Sequence, residues 1–202
     1  MMNSTPMRST SSKRRLRLIT AAKALTLALV VSVGLFTEAH ADSALVVAIG
    51  ADNVNGKGKG KNYPGGVGRN EAFPAQLETL LRAQGIDARV VNAGLAGDTT
   101  PGVLGRLNSA VPDGTRLVIL DIAKGNDSRA GGKDAEADTI DNIRNQLDAR
   151  HIALFVLPDW KTIPGLMDNR DPDGHHFTAE GHAKIAAFLL PKVTAILGAQ
   201  TN

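Results

Sequence analysis

The chain has 202 residues, 43% of them hydrophobic and 21% charged, and contains no cysteine. That balance excludes a disordered polymer, a disulfide-held scaffold and any thiolate nucleophile or metal site, and it is sufficient for one globular domain with its own core. The formal charge of +3 and the sequence pI near 9.3 conceal a strong asymmetry between the first forty residues and the rest.

A basic segment, Lys13-Arg14-Arg15-Leu16-Arg17, precedes an apolar stretch from Leu18 to Phe36, and Ala39-His40-Ala41 supplies the small-x-small pattern of a leader-peptidase site. Residues 1–41 therefore read as a signal peptide and residues 42–202 as the mature domain. The protein is then expected to be exported, periplasmic or secreted, with no stable membrane insertion once the leader is cut. The rival reading is a single uncleaved anchor, since the apolar stretch is almost long enough to span a bilayer. Lys23 within the run and Ala-His-Ala at its end favour cleavage. The leader holds six of the 23 Lys and Arg and one of the 20 acids, which leaves 17 against 19 and a formal charge of about −2. The basic pI is thus mostly a property of the export segment, and no nucleic-acid partner is implied.

Short runs rich in Val, Ile and Leu, at Leu45 to Ile49, Ala88 to Val91, Leu117 to Leu120 and Ile152 to Leu157, are bounded by Gly, Asp or Pro and predict buried strands. The segments between them carry helical periodicity. Ala72 to Gln84 places Phe73, Leu77, Leu80 and Leu81 on one stripe and stops at Gly85. Pro101 to Val111 opens with a first-turn proline. Ala135 to Arg150 repeats apolar residues at Ile140, Ile143 and Leu147, and Thr178 to Leu197 forms a last helix in which Pro191 predicts a kink. Alternating strands and helices predict an α/β fold with a parallel sheet covered on both faces. Gly56 to Gly68, GKGKGKNYPGGVG, predicts a loop.

In such a sheet, ligands bind outside the carboxyl ends of the strands. The first strand is followed by Gly50-Ala51-Asp52-Asn53, the second by Asn92 to Thr99 and the third by Asp121 to Asp127, while Asp173-Gly174-His175-His176 precedes the last helix. Each cluster alone is ordinary turn or cap chemistry. Together they bring polar loops from three strand ends toward an Asp-x-x-His, the makings of a base oriented by an acid with donors for an oxyanion. His175 and His182 could extend His176 into a cluster, but no Cys or further His completes a metal set. Asp98-Thr99-Thr100 before Pro101 reads as a helix cap. Asp127 and Arg129 lie near the site by position without a necessary role. Trp160 fits either the pocket wall or the core, with the core preferred.

These four clusters, in this order and spacing, resemble the four blocks of the SGNH (GDSL-type) hydrolases, a family of esterases and lipases. NAGLAGDTTPGVLGRL, from Asn92, resembles the second block, KGNDSRAG, from Lys124, the third, and DGHHFTAEGH, from Asp173, the last. The resemblance implies a three-layer α/β/α sandwich around a flavodoxin-like parallel sheet. It also implies a hydrolase acting on an ester or acyl group of a small molecule, lipid or glycan, with no cofactor and no metal. Carried over by position, His176 is the general base, Asp173 its orienting acid, and Gly97 and Asn126 the oxyanion donors together with the N–H of residue 52.

The nucleophile of that family is a serine, and the position holds Asp52. No shift of the alignment repairs this, because Ser43 lies before the strand and the next serine, Ser109, lies on a helix. Lys124 also stands where relatives have a glycine. Three readings follow. Asp52 is a nucleophile whose ester is later hydrolysed by a water that His176 activates, as in Asp-His-Asp dehalogenases of an unrelated fold. Or Asp52 is a base or electrostatic partner for direct attack by water. Or the site only binds, because a carboxylate beside an imidazole favours the protonated ring and opposes an oxyanion. Lys124, or Lys57, Lys59 or Lys61, is a possible charge partner for Asp52.

Overall fold

Val46 and Ala48 leave the first strand on one side, Val47 and Ile49 on the other, and all four are fully buried. Period-two alternation with both faces apolar requires a cover on each side of the sheet. The computed structural model describes residues 43–58, 65–131 and 136–200; the proposed leader, Lys59 and Lys61 lie outside the described residues. The elements in chain order are β1 (Ala44–Gly50), α1 (Asp52–Asn55), α2 (Phe73–Ala83), β2 (Ala88–Gly94), α3 (Thr100–Gly105), α4 (Leu107–Ala110), β3 (Thr115–Leu120), α5 (Lys124–Arg129), α6 (Glu136–Asp148), β4 (Ala153–Val156) and α7 (Ala179–Ala199). The strands pair in the order β2-β1-β3-β4, every pair parallel, the flavodoxin-like arrangement expected from the sequence.

The two cores follow from the strand alternation. Val46, Ala48, Leu117 and Ile119 pack with Phe73, Leu77 and Leu81 of α2 and Ile185, Leu189 and Val193 of α7. On the opposite face Val47, Ile49, Val118 and Leu120 pack with Val103, Leu107, Ile143 and Leu147 of α3, α4 and α6. Each buried Leu or Ile contributes about 1.5–3 kcal/mol against chain entropy. Among the described residues one helix, α7, is long and apolar enough to cross a bilayer, and its apolar stripe lies in the first of these cores.

The boundaries differ from the sequence reading in three places. β2 runs on to Gly94 because Asn92, Ala93 and Gly94 pair with Ala48, Ile49 and Gly50, so neighbouring strand overrides the turn preference of Asn-Ala-Gly. The helix expected from Pro101 to Val111 breaks at Arg106 into α3 and α4; the Arg106 guanidinium binds Asp98 and the carbonyls of Ala93 and Gly50. Pro191 lies inside α7, which continues to Ala199.

Gly50 ends β1 where space is shortest. A Cβ there would stand 2.7 Å from the Asp121 Cβ and 2.8 Å from Val54 Cγ2, so only glycine lets the chain turn directly into α1 beneath the end of β3. That turn places Asp52 at the carboxyl edge of the sheet.

Candidate active site

The Asp52 carboxylate bridges two loops. Its Oδ1 accepts the Gly97 N–H at 3.1 Å and its Oδ2 accepts the Asn126 side-chain amide at 3.0 Å. Asn126 Nδ2 also donates to the Asp98 carbonyl at 2.7 Å, and the Arg129 guanidinium donates to Asn126 Oδ1. These partners fix the amide with its NH2 group toward Asp52. The backbone around Gly97 is equally constrained. Gly97 has a φ of +78°, in the left-handed region that glycine adopts freely, and Arg106 and Asp98 form a 2.7 Å ion pair next to it.

His176 stands across from Asp52. Its Nδ1 meets Asp173 Oδ2 at 2.5 Å, and its Nε2 lies 3.9 Å from Asp52 Oδ1. The imidazole side chain is 3% exposed and that of Asp52 20%. Asp173 is held by more than the ring: its Oδ1 accepts the backbone N–H groups of His175 and His176, and its Oδ2 accepts that of Gly65. Burial of Asp173 raises its pKa, but the backbone bonds from His176 and His175 and the His176 ring outweigh it and keep the carboxylate well below its usual range. Gly65 has to be glycine, since a Cβ there would fall 2.5 Å from Asp173 Oδ2. Gly65 N–H thus rests on Asp173, with Gly66 N–H on Asp171 beside it.

Asp52, Gly97, Asn126 and His176 line one cavity of about 570 Å³, with Asp173 behind the imidazole. The five residues drawn from four separate loops are therefore assembled at one point. Lys124 lines the same cavity, exposed at the start of α5, but among the described residues no lysine forms an ion pair with Asp52; Gly97, Asn126 and His176 take that place. Trp160 lines the cavity as well and packs edge-on to Phe177, 5.7 Å between centroids, so it serves wall and core together.

The other polar residues divide by depth. Thr99 caps α3, its hydroxyl accepting the Gly102 N–H at 3.1 Å. Asp127 is buried and accepts the Thr100 N–H and hydroxyl at 2.7 and 2.5 Å, tying α5 to α3. His182 leaves the presumed histidine cluster for the core: its Nδ1 accepts the Phe73 N–H at 3.2 Å, and burial, with the charge of His176, pushes its pKa down to about 4. No group of three His, Cys, Asp or Glu able to hold a metal occurs among the described residues.

Asp121, Asp159 and Arg170 line the cavity without having been singled out by the sequence, and the first of these is the most deeply placed. Asp121, directly after β3, is buried at 5% exposure and lines the cavity. Burial first, then the charges of Asp52 and Asp127, pushes its pKa up to about 8. Its position at a strand end, the same kind of position that drew attention to Asp52, was the available signal.

No protein-family model matches the chain, and no curated protein matches it. Among solved structures it is similar to the family 3 carbohydrate esterase of Clostridium thermocellum, at 21% identity and TM-score 0.60, covering 79% of this chain and 99% of that one. It is similar to TesA at 18% identity and TM-score 0.60, covering 75% and 99%. The psychrotrophic esterase EstA of a Pseudoalteromonas species gives 16% identity and TM-score 0.58, covering 76% and 98%. The fold is that of the GDSL/SGNH hydrolases.

Proposed function

We propose that this protein is an exported hydrolase on the SGNH scaffold, acting on an ester-type bond of a small molecule, lipid or glycan, with Asp52 in the place of the nucleophilic serine. One observation carries the reading: Asp173, His176 and Asp52 follow one another, 2.5 and 3.9 Å apart, with Gly97 N–H and Asn126 Nδ2 converging on the same Asp52 carboxylate. His176, oriented by Asp173, takes a proton from water, and the two donors stabilise negative charge at the reacting centre. The esterase activity of the carbohydrate esterase and of EstA supports an ester-type substrate. Export rests on the leader pattern of residues 1–41.

A second reading, a binding protein without turnover, is favoured by one feature of the same site. The donors that would hold an acyl oxyanion are filled by Asp52 itself. The purified protein and its His176→Ala variant, assayed on para-nitrophenyl acetate and butyrate, acetylated xylan, phosphatidylcholine vesicles and para-nitrophenyl glycidyl ether, separate the two. Turnover of any of these that His176→Ala lowers by about 100-fold or more supports the hydrolase; binding by calorimetry with no turnover of any supports the binder.

A further inference from the structure

Asp52 and Asp121 close the ends of neighbouring strands. β1 and β3 pair in parallel up to Ile49 and Leu120. The Asp121 N–H then donates to the Ile49 carbonyl at 2.9 Å, and the Asp121 Cβ lies so close to Gly50 that no Cβ fits there. Both residues line the same cavity, yet their surroundings differ in kind. Asp52 has two hydrogen-bond donors and an imidazole. Asp121 is surrounded by low-dielectric core and by acids: Asp52 from α1 and Asp127 from α5, the latter already satisfied by Thr100. The other charged or titratable groups facing the cavity are Lys124 and Arg129 of α5, Asp159 after β4, and Arg170, His175 and His176 before α7.

We propose that Asp52 and Asp121 work as a nucleophile and acid pair on a carbon–oxygen bond at a saturated carbon, such as that of an epoxide or a glycoside, Asp52 attacking the carbon and Asp121 giving its proton to the departing oxygen. This rests on the hydrolase reading and changes its substrate from an ester-type bond to a carbon–oxygen bond at a saturated carbon. An oxygen of Asp52 forms a bond to the carbon as the carbon–oxygen bond breaks, and the oxygen leaves with the proton of Asp121 as a hydroxyl. Water then attacks the Asp52 Cγ and gives its proton to His176 Nε2. The oxyanion forms on the oxygen that did not attack and keeps the donor already on it, Gly97 N–H on Oδ1 or Asn126 Nδ2 on Oδ2. Collapse expels the alcohol, which takes the proton from His176 and leaves Asp52 as the neutral acid; Asp52 then releases that proton and Asp121 regains one through solvent, so the sum is addition of one water across the bond.

Two features fit this chemistry better than acyl transfer. Attack of a carboxylate on an acyl carbon gives a reactive anhydride, whereas attack on a saturated carbon gives an ordinary ester. A donor is also already in place, because the oxyanion arises on an Asp52 oxygen that Gly97 or Asn126 binds. A carboxyl group whose surroundings favour its neutral form can act as an acid at neutral pH, and burial beside Asp52 and Asp127 lets Asp121 keep its proton up to about pH 8.

The test uses the purified protein with para-nitrophenyl glycidyl ether, an epoxide, and para-nitrobenzyl bromide, whose leaving group needs no proton, followed by peptide mass mapping. His176→Ala should accumulate one ester on Asp52, the native protein should release the diol, and Asp52→Asn should carry no ester at this position. In the His176→Ala background, Asp121→Asn should lower the ratio of epoxide to bromide labelling by about 100-fold, and without that second change epoxide labelling of His176→Ala should decline above about pH 8. An unchanged ratio in Asp121→Asn overturns the acid role, whatever that variant does to folding. Hydrolysis of acyl esters with no ester on Asp52 in His176→Ala overturns the pair but leaves the hydrolase. Absence of both turnover and labelling overturns both.

Discussion

Asn126 donates its side-chain amide to Asp52 Oδ2 at 3.0 Å, so the residue that the resemblance would give to an oxyanion holds a carboxylate of the protein instead. A hydrogen bond to a charged group contributes about 1.5–3 kcal/mol when shielded, and Asp52 is 20% exposed, which reduces this through solvent screening. A double-mutant cycle of Asp52→Ala and Asn126→Ala in urea unfolding should therefore show a coupling of about 1 kcal/mol or more. Additive single variants would contradict the contact.

Asp173 should stabilise the fold in a pH-dependent manner. Its folded pKa is depressed by the N–H groups and ring of His175 and His176, so its contribution is complete above the ordinary carboxylate value, about 4, and fades as pH falls below it toward the lower folded value. Asp173→Asn should be less stable than the native protein at neutral pH, by about 1–3 kcal/mol, and the gap should narrow below about pH 4. Chemical denaturation across pH measures it; a gap that widens in acid has the wrong sign.

Asp121 predicts the opposite slope. With an ordinary value of 3.8 and a folded value of about 8, it is protonated in the folded state and ionised in the unfolded chain between these limits. Its favourable contribution is complete below pH 3.8 and is lost as pH rises to about 8. Asp121→Asn does not titrate, so its stability relative to native should rise through that window, by more than about 2 kcal/mol, and stay level above it. The same denaturation series, read from acid to base, checks it.

His151 is the one non-glycine residue with a positive φ among the described residues, at 56°. It follows α6, where its N–H binds the Asp148 carbonyl and that of Ile152 binds the Leu147 carbonyl, both at 2.9 Å. A side chain in that conformation costs about 1 kcal/mol. His151→Gly, partly offset by greater freedom of the unfolded chain, should raise stability by about 0.5 kcal/mol. A lower midpoint in thermal unfolding would count against this geometry.

The layers of the fold were legible because β1 and β3 carry uninterrupted buried aliphatic runs and α2 and α7 repeat Phe, Leu and Ile at helical spacing. The ends were less so. Asn92 to Gly94 read as a turn because the pairing with β1 that makes them strand is non-local. Arg106 read as a helical residue although its guanidinium gathers Asp98, Ala93 and Gly50. Within the site, Asp52, Asp173 and His176 were legible from position and residue type. That Asp52 lies on Gly97 and Asn126 rather than on a lysine was not, because it depends on where three loops meet. Asp121 was read as part of the loop after the third strand and given no role, because nothing local distinguishes an aspartate buried under its neighbours' charges from one in a turn.

The central claim is that Asp52 occupies the donors that an acyl oxyanion would need. It is tested most directly by kcat/KM for para-nitrophenyl acetate in the native protein and in Asp52→Ser. Freeing Gly97 N–H and Asn126 Nδ2 beside an intact His176–Asp173 dyad should raise the serine variant about 100-fold or more above native. Native activity equal to that of Asp52→Ser, and lost in His176→Ala, would show the donors already free for the substrate and contradict the account.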